Sequence, residues 1–336
     1  MNLQPLVSIL VVSHNSEKDL EACLQSVYSQ DYRNFEILVV DNNSDDGSVK
    51  LVRTKYPEVN VTALEENIGF GGACNLGVTL AQGDLIAFLN PDTRVHKRWL
   101  KEIVRNILAS PMLGACGSQV LFWDGERIQS LGGVYSRETG YALDLGFGAR
   151  SSRIDSRSSR PVFHVCGASI VVRKSIFKLV QGFDEDYFMY FDDVDLSWRI
   201  RMRGFQVDIV PTSIVYHKID PRRAYLATSR FWIERNSLRT LLKNYELRNV
   251  IIYLPTVLAL RGTALAFLLM TAKLRHAYVM IKALADVILN FGNIWNKRQR
   301  IQQRRVLTDK DLFGDSVTIS LGALVTKFLR NAASYL

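Results

Sequence analysis

The chain has 336 residues, 48% hydrophobic and 22% charged, which excludes a disordered chain and admits one large domain with an appendage, or two domains. The formal charge of +9 is uneven: residues 236–336 carry 15 Lys/Arg against 5 Asp/Glu, the first 235 residues 27 against 28. The basic character belongs to the C-terminal third and speaks to what that third touches.

The first apolar run, Val7 to Val12, predicts a buried strand. Leu6 to Val12 is too short for a signal peptide and lacks a basic segment before it. Ser16 then opens a helix of about 13 residues that ends near Gln30. Phe35 to Val40 is a second strand that runs into the polar turn Asp41–Ser48 and a helix; Val59 to Ala63 is a third. Asn67-Ile68-Gly69-Phe70-Gly71-Gly72-Ala73 leads into another helix, and Leu85 to Leu89 forms the next strand. Strands alternating with helices predict a parallel α/β sheet. Glycine-broken segments over 115–150 predict a hairpin or flap, and 150–160 a basic loop, solvated or lid-like. Phe163 to Val172 and Ser213 to Tyr216 return to strand character, the latter ending at His217. Cys23, Cys74, Cys116 and Cys166 stand more than 40 residues apart, without metal-ligand spacing, and read as reduced thiols.

Polar residues gather at the strand ends, where ligands bind in open α/β sheets. Asp92 follows Leu89-Asn90-Pro91; a carboxylate there can hold Mg²⁺ or Mn²⁺ and through it a diphosphate, although an Asn-Pro-Asp turn is the plainer reading. Asp41 can accept from a base or a ribose hydroxyl, or it caps a turn. GFGGAC lacks the last glycine of a dinucleotide fingerprint and follows the third strand, which excludes a Rossmann dehydrogenase. Asp192, Asp193 and Asp195 open a helix behind Phe188, Tyr190 and Phe191. They cap the helix, or an apolar wall raises one carboxyl towards the range of a general base. His217 is structural or a metal ligand.

Five segments in order resemble the family 2 inverting glycosyltransferases, in particular the bacterial rhamnosyltransferase-like branch. They are VVDNNSDDGS (39–48), ENIGFGGACNLG (66–77), FLNPDT (88–93), CGASIVVRK (166–174) and GFDEDYFMYFDDVDLSWR (182–199). The resemblance covers residues 7 to 217 and implies a GT-A, nucleotide-diphospho-sugar transferase fold over residues 1–235. It implies that Asp41 binds the base of a dTDP- or UDP-sugar donor, with Asn67, Asn75 and Asn90 beside nucleotide and sugar. Asn90-Pro91-Asp92 stands in place of the family's Asp-X-Asp motif, with Asp92 and His217 as ligands of Mg²⁺ or Mn²⁺. The first position is Asn90, which leaves fewer charges on the metal. Asp193 matches the catalytic base; Gly167, Ala168, Asp192 and Trp198 fall on the acceptor side. Lys218 to Arg223 replaces the expected glycine- and serine-containing tail, which leaves Arg222 or Arg223 as diphosphate contacts. Ser229-Arg230-Phe231-Trp232 lacks the Gln-X-X-Arg-Trp motif of processive synthases, so one sugar per encounter is expected.

Residues 236–336 predict a basic, apolar helical region. Two apolar stretches, 250–260 and 262–272, flank Arg261, and a central Arg costs about 2.5–3.5 kcal/mol in a membrane span. Interfacial helices on the inner face of the cell membrane fit better, with Lys273, Arg275, Lys282 and the run from Lys297 to Arg305 facing anionic lipid. A bundle packed on the catalytic domain or in a homodimer is the competing reading; nucleic-acid binding lacks a recognition motif. The expected activity is transfer of a sugar such as rhamnose to a lipid-linked or cell-surface glycan. The rivals are a sugar-nucleotide nucleotidyltransferase and an inactive membrane-docked scaffold.

Overall fold

The computed structural model describes residues 4–153, 158–219, 226–314, 317–320 and 322. Contacts divide the chain into two compact units: Met1–Gly133 with Asp144–Asp220, and Val134–Leu143 with Pro221–Leu336. The boundary falls at 220 rather than at 235, because the helix that begins at Ala227 packs along later helices of the second unit.

The first unit is a twisted sheet between two helical layers. Its elements are β1 (Val7–Ser13), α1 (Glu17–Tyr28), β2 (Phe35–Asp41), α2 (Ser48–Lys55), β3 (Asn60–Ala63), α3 (Gly69–Leu80), β4 (Leu85–Leu89), β5 (Thr93–Val95), α4 (Trp99–Ala109), β6 (Leu113–Phe122) and β7 (Ile128–Ser130). The hairpin β8 (Gly133–Tyr135) and β9 (Ala142–Asp144) follows in the chain but falls mostly in the second unit. Then come β10 (Arg160–Pro161), β11 (Ser169–Arg173), α5 (Lys174–Leu179), α6 (Asp192–Met202) and β12 (Gln206–His217). The strand order is β10-β12-β6-β11-β4-β1-β2-β3, with β5 added to β12 and β7 to β6. β3, β2, β1 and β4 run parallel; β11 is antiparallel between β4 and β6, and β12 is parallel to β6. β1 and β4 are buried along their whole length because apolar clusters cover both faces of the sheet. One holds Leu20, Leu24, Trp99 and Ile103, the other Val78, Phe88, Phe177 and Ile200.

The segment expected as a strand from Phe163 is one only from Ser169, because the chain turns at Cys166-Gly167, where the Ser169 amide donates to the Cys166 carbonyl at 3.2 Å. Since β11 opposes β4, that turn lies level with the end of β4, and the Asn90 amide donates to the Ala168 carbonyl at 3.2 Å.

The second unit is helical: α7 (Ala227–Asn244), α8 (Leu247–Met270), α9 (Leu274–Leu289), α10 (Phe291–Gln303) and the short α11 (Asp309–Leu312). α7 is unusual in burying polar side chains, among them Glu234, Asn236, Ser237, Arg239 and Thr240. The apolar stretches expected on either side of Arg261 form one continuous helix, α8, which runs through Pro255. Its buried positions Val250, Val257, Arg261 and Leu268 make a single seam. Arg261 turns inward: Nε lies 3.1 Å from a Glu234 carboxylate oxygen, Nη2 donates to Ser237 Oγ at 2.7 Å, and the guanidinium sits over the Tyr141 ring. Tyr141 donates its hydroxyl to Glu234 at 2.6 Å. Asp286 on α9 accepts from both Arg235 and Arg239 of α7. With the charge folded inward, α8 exposes Ile251, Ile252, Leu258, Phe267, Leu269 and Met270. Among the described residues α8 is the one single helix long and apolar enough to cross a membrane.

Candidate active site

The C-terminal ends of β2, β4 and β12, the turn before β11 and the start of α6 supply the expected residues. Asp92 and His217 come together although 125 positions apart, because β12 pairs with β5 directly after the Asp92 turn and sets His217 opposite Thr93. His217 Nε2 is 3.1 Å from Asp92 Oδ1 and 3.5 Å from Asn90 Nδ2. The Lys218 amide donates to the Asp92 carbonyl at 2.9 Å and locks the two strand ends. His217 is buried, and its Nδ1 is 3.0 Å from Gln129 Oε1. An amide oxygen only accepts, so Nδ1 carries the hydrogen and donates. In the neutral ring Nε2 then presents a lone pair to the Asp92 carboxylate, and the pair is a ready nitrogen and oxygen donor set for a cation.

The residues therefore fit a divalent ion of the Mn²⁺ type, which takes imidazole and carboxylate together, better than an all-oxygen site. Among the described residues no cluster of three or more His, Cys, Asp or Glu could hold an ion by itself. Two protein ligands leave the other positions to substrate oxygens and water, as is usual where an ion is shared with a diphosphate.

Asp193 is half-buried at the start of α6, and its Oδ2 accepts from the Gly167 amide at 2.8 Å. Gly167 keeps the backbone close: a Cβ there would meet the Asp193 carboxylate at 3.3 Å. Asp192 is buried beside it, and burial, followed by the neighbouring Asp193 charge, pushes its carboxyl up to about 8. The segment before them is held in backbone space that side chains seldom adopt, with φ of 62° at Phe188, 63° at Tyr190 and 67° at Phe191. Gly69, at φ +77°, lies so close to Phe188 that any Cβ would press on its backbone at 2.9 Å, and the Phe70 amide donates to the Phe188 carbonyl. The glycine segment thus shapes the acidic segment as well as the donor end of the sheet.

Asp41 is buried at the end of β2 and accepts from the amide and hydroxyl of Ser44, at 2.9 and 2.6 Å. Asn67 caps the entry to α3: its side-chain oxygen accepts from the Gly69 amide and from Asn42 Nδ2. Asn75 does not point its amide at a nucleotide position. It donates to the Phe183 carbonyl and to Glu185, and accepts from the Phe183 amide at 2.9 Å, which clamps α3 to the acidic segment. Trp198 is corrected outright as an acceptor contact: it is 0% exposed and packs edge-on against Phe163 in the core. Arg222 and Arg223 lie outside the described residues. The sequence reading missed Asn42, whose side chain also holds the Ile68 amide and the Gly69 carbonyl, and Lys218, which pairs with Asp19 on α1 at 2.8 Å. Asn42 stood next to Asp41 in the quoted motif; Gln129 carried no signal at all.

Comparison with known proteins bears on family and fold. Residues 8–180 match the family model described as Glycosyl transferase family 2. The chain is 29% identical over 235 residues to the N-acetylglucosaminyl-diphospho-decaprenol L-rhamnosyltransferase of Mycobacterium tuberculosis, covering 63% of this chain and 76% of that one. A structure of the mannosyltransferase PcManGT from Pyrobaculum calidifontis, in complex with GDP-Man and Mn²⁺, superposes with TM-score 0.55 and 18% identity over 90% of this chain and 86% of that one. GalNAc-T7 with UDP, GalNAc and Mn²⁺ gives TM-score 0.59 and 16% identity over 72% of this chain and 48% of that one. The mixed α/β sheet is a GT-A fold, as the resemblance implied.

Proposed function

From the fact that this chain belongs to Glycosyl transferase family 2 and is a glycosyltransferase, we propose that it is a metal-assisted inverting enzyme that transfers one sugar from a nucleoside diphosphate to a lipid-linked glycan. The observation that carries this reading is the convergence of Asp92 Oδ1 and His217 Nε2 at 3.1 Å, with Asp193 fixed on Gly167 at the same sheet edge. Rhamnose as the sugar and a lipid-linked acceptor draw support from the mycobacterial relative's own activity; the nucleotide of the donor is dTDP or UDP.

Asp41 ends the strand that meets the nucleoside, with Asn42 directly after it, and Asp92 with His217 would hold the divalent ion. That ion, when bound, stabilises the negative charge that grows on the departing diphosphate. Asp193 takes the proton of the acceptor hydroxyl as its oxygen attacks the anomeric carbon from the side opposite the leaving group. The new glycosidic bond forms, the bond from carbon to diphosphate breaks with its electron pair, and the configuration inverts. A positioned base of this kind contributes about 10²–10⁴-fold. Gly167 aims the carboxylate by its amide, and Asp192 lies buried beside it.

The test is a thermal-shift panel of UDP, dTDP, GDP and CDP, each with and without Mn²⁺. A ligand that binds only the folded state raises the melting temperature. A metal-dependent rise with UDP or dTDP is expected, and no rise with any of the four would favour a scaffold without turnover.

The location belongs to the same proposal. Between Arg248 and Lys273 the one charged residue of α8 is the inward Arg261, and the segments after it, from Lys273 to Arg304, expose Lys273, Arg275, Lys282, Arg300 and Arg304. An exposed apolar helix face in a unit with exposed cations suits the anionic inner leaflet of the cell membrane. Wild-type protein should float with vesicles containing phosphatidylglycerol, and Phe267→Asp with Met270→Asp should remain below. A protein that ignores vesicles but sediments as a dimer would give this face to a second copy.

A further inference from the structure

Gln129 has no part in the reading so far, yet its position in the sheet is unusual. β7 pairs with β6 through Val120 opposite Ser130 and Leu121 opposite Ile128. Two consecutive residues of β6 therefore face two residues of β7 that are separated by Gln129, which is the extra residue of a β-bulge. Bulges interrupt a ladder and re-aim one side chain, and they recur beside active sites. Here the flanking Ile128 and Ser130 are fully buried and hold the strand on both sides. Ser130 also donates to Asp144 at 2.6 Å. The side chain set free by the bulge is buried too, and its oxygen receives the Nδ1 hydrogen of His217 at 3.0 Å.

We propose that Gln129 is a positioning residue, which acts through His217 to fix the ring that completes the divalent-ion site. An imidazole binds a metal through one nitrogen only, and the hydrogen bond at the other decides which nitrogen that is. With Nδ1 engaged by Gln129, the lone pair sits on Nε2 and faces Asp92. Without an acceptor at that place the ring is free to take the other tautomer and to rotate, which turns a hydrogen where the ion needs an electron pair. Loss of such a partner typically lowers metal affinity or activity by about 10–100-fold. The amide also adds no charge, so it orients the ring without drawing the cation towards itself. This inference rests on the reading of Asp92 and His217 as the ion's protein ligands.

The experiment is an EPR titration of free Mn²⁺ against the full chain, in one series with UDP and in another with dTDP, for wild type, Gln129→Met, Gln129→Glu and His217→Ala. Gln129→Met keeps the length and removes the strong acceptor; it should weaken Mn²⁺ binding by about 10–100-fold. Gln129→Glu restores an acceptor and should stay within a few-fold of wild type. In turnover, Gln129→Met should raise the Mn²⁺ concentration needed for half-maximal rate far more than it lowers kcat. Wild-type Mn²⁺ affinity in Gln129→Met, or equal losses in the Met and Glu variants, overturns the proposal. If His217→Ala also binds Mn²⁺ like wild type, the ligand assignment itself falls; if His217→Ala loses the ion and Gln129→Met does not, only the role of Gln129 falls. Should Gln129→Met fail to fold, Gln129→Leu takes its place under the same criteria.

Discussion

The helical unit and the candidate site hold charge in opposite ways, although the sheet unit also buries one ion pair, Asp195 with Arg199 at 2.7 Å. In the helical unit the inward arginines meet ions of opposite sign: Arg261 meets Glu234, and Arg235 and Arg239 meet Asp286; farther along the chain Arg305 likewise pairs with the buried Asp309. At the edge of the sheet the carboxylates are held by neutral groups instead, Asp193 by the Gly167 amide and Asp41 by Ser44, while Asp192 is crowded by Asp193. Paired charges hold a structure in one register and have little left for a ligand. Carboxylates held by amides and hydroxyls keep their charge and their remaining lone pairs for whatever enters.

This contrast can be broken by mutation, and the largest effect should be chemical. Asp193→Asn should lower transfer by about 10²–10⁴-fold while the thermal shift with nucleoside diphosphate and Mn²⁺ persists; near-normal turnover would remove Asp193 from the role of base. Next come changes that should cost stability and spare chemistry. Arg261→Ala takes from the buried Glu234 its closest cation, leaving Tyr141 and, at 3.7 Å, Arg230, and should destabilise by about 3 kcal/mol in chemical denaturation, with the acceptor KM of the folded fraction unchanged. Trp198→Ala should cost about 3–5 kcal/mol by opening the core. A selective rise in acceptor KM at full stability would return Trp198 to the acceptor site.

A last effect depends on pH. Asp192 holds its proton up to about 8 in the folded chain and loses it near 3.8 when unfolded. Across that window the folded state carries the extra proton, so stability falls as pH rises through it and levels off above. Asp192→Asn removes this dependence. The melting temperature of wild type should therefore lose ground to that of the variant between pH 5 and pH 8, and parallel curves would show that the carboxyl ionises at its ordinary value.

Much of the sheet was legible because apolar runs between polar breaks report buried strands directly: Leu85 to Leu89, expected as a strand, is β4 residue for residue. The placement of the candidate residues was legible near strand ends, as for Asp41, Asp92 and His217, since strand ends are visible in sequence and the sheet brings them to one edge. It was not legible where helical phase decides. Trp198 lies five residues after Asp193, roughly 140° around a helix of 3.6 residues per turn, so nearness in sequence to the acidic cluster set it on the far side. Asn75 shows another limit: its partner Phe183 is 108 positions away, and nothing in the glycine segment reveals that its amide is already engaged. Gln129 depends on a one-residue slip between two strands, which no composition or period encodes. Likewise Arg261 looked like an obstacle to an apolar helix because Glu234 and Tyr141, which receive it, lie on other elements.

That same arginine imposes an order of events on the newly made chain. Until α7 has formed and offered Glu234, α8 is an apolar helix with an unmatched cation at its middle, poorly suited both to lipid and to a packed core. Synthesis delivers α7 first, and residues 134–143, with Tyr141, long before. The partners of Arg261 are thus already made when it emerges, and the apolar face is complete only once the second unit has assembled around it. Exposure of that apolar face is then a property of the folded second unit, so a chain that folds badly loses this surface together with its shape.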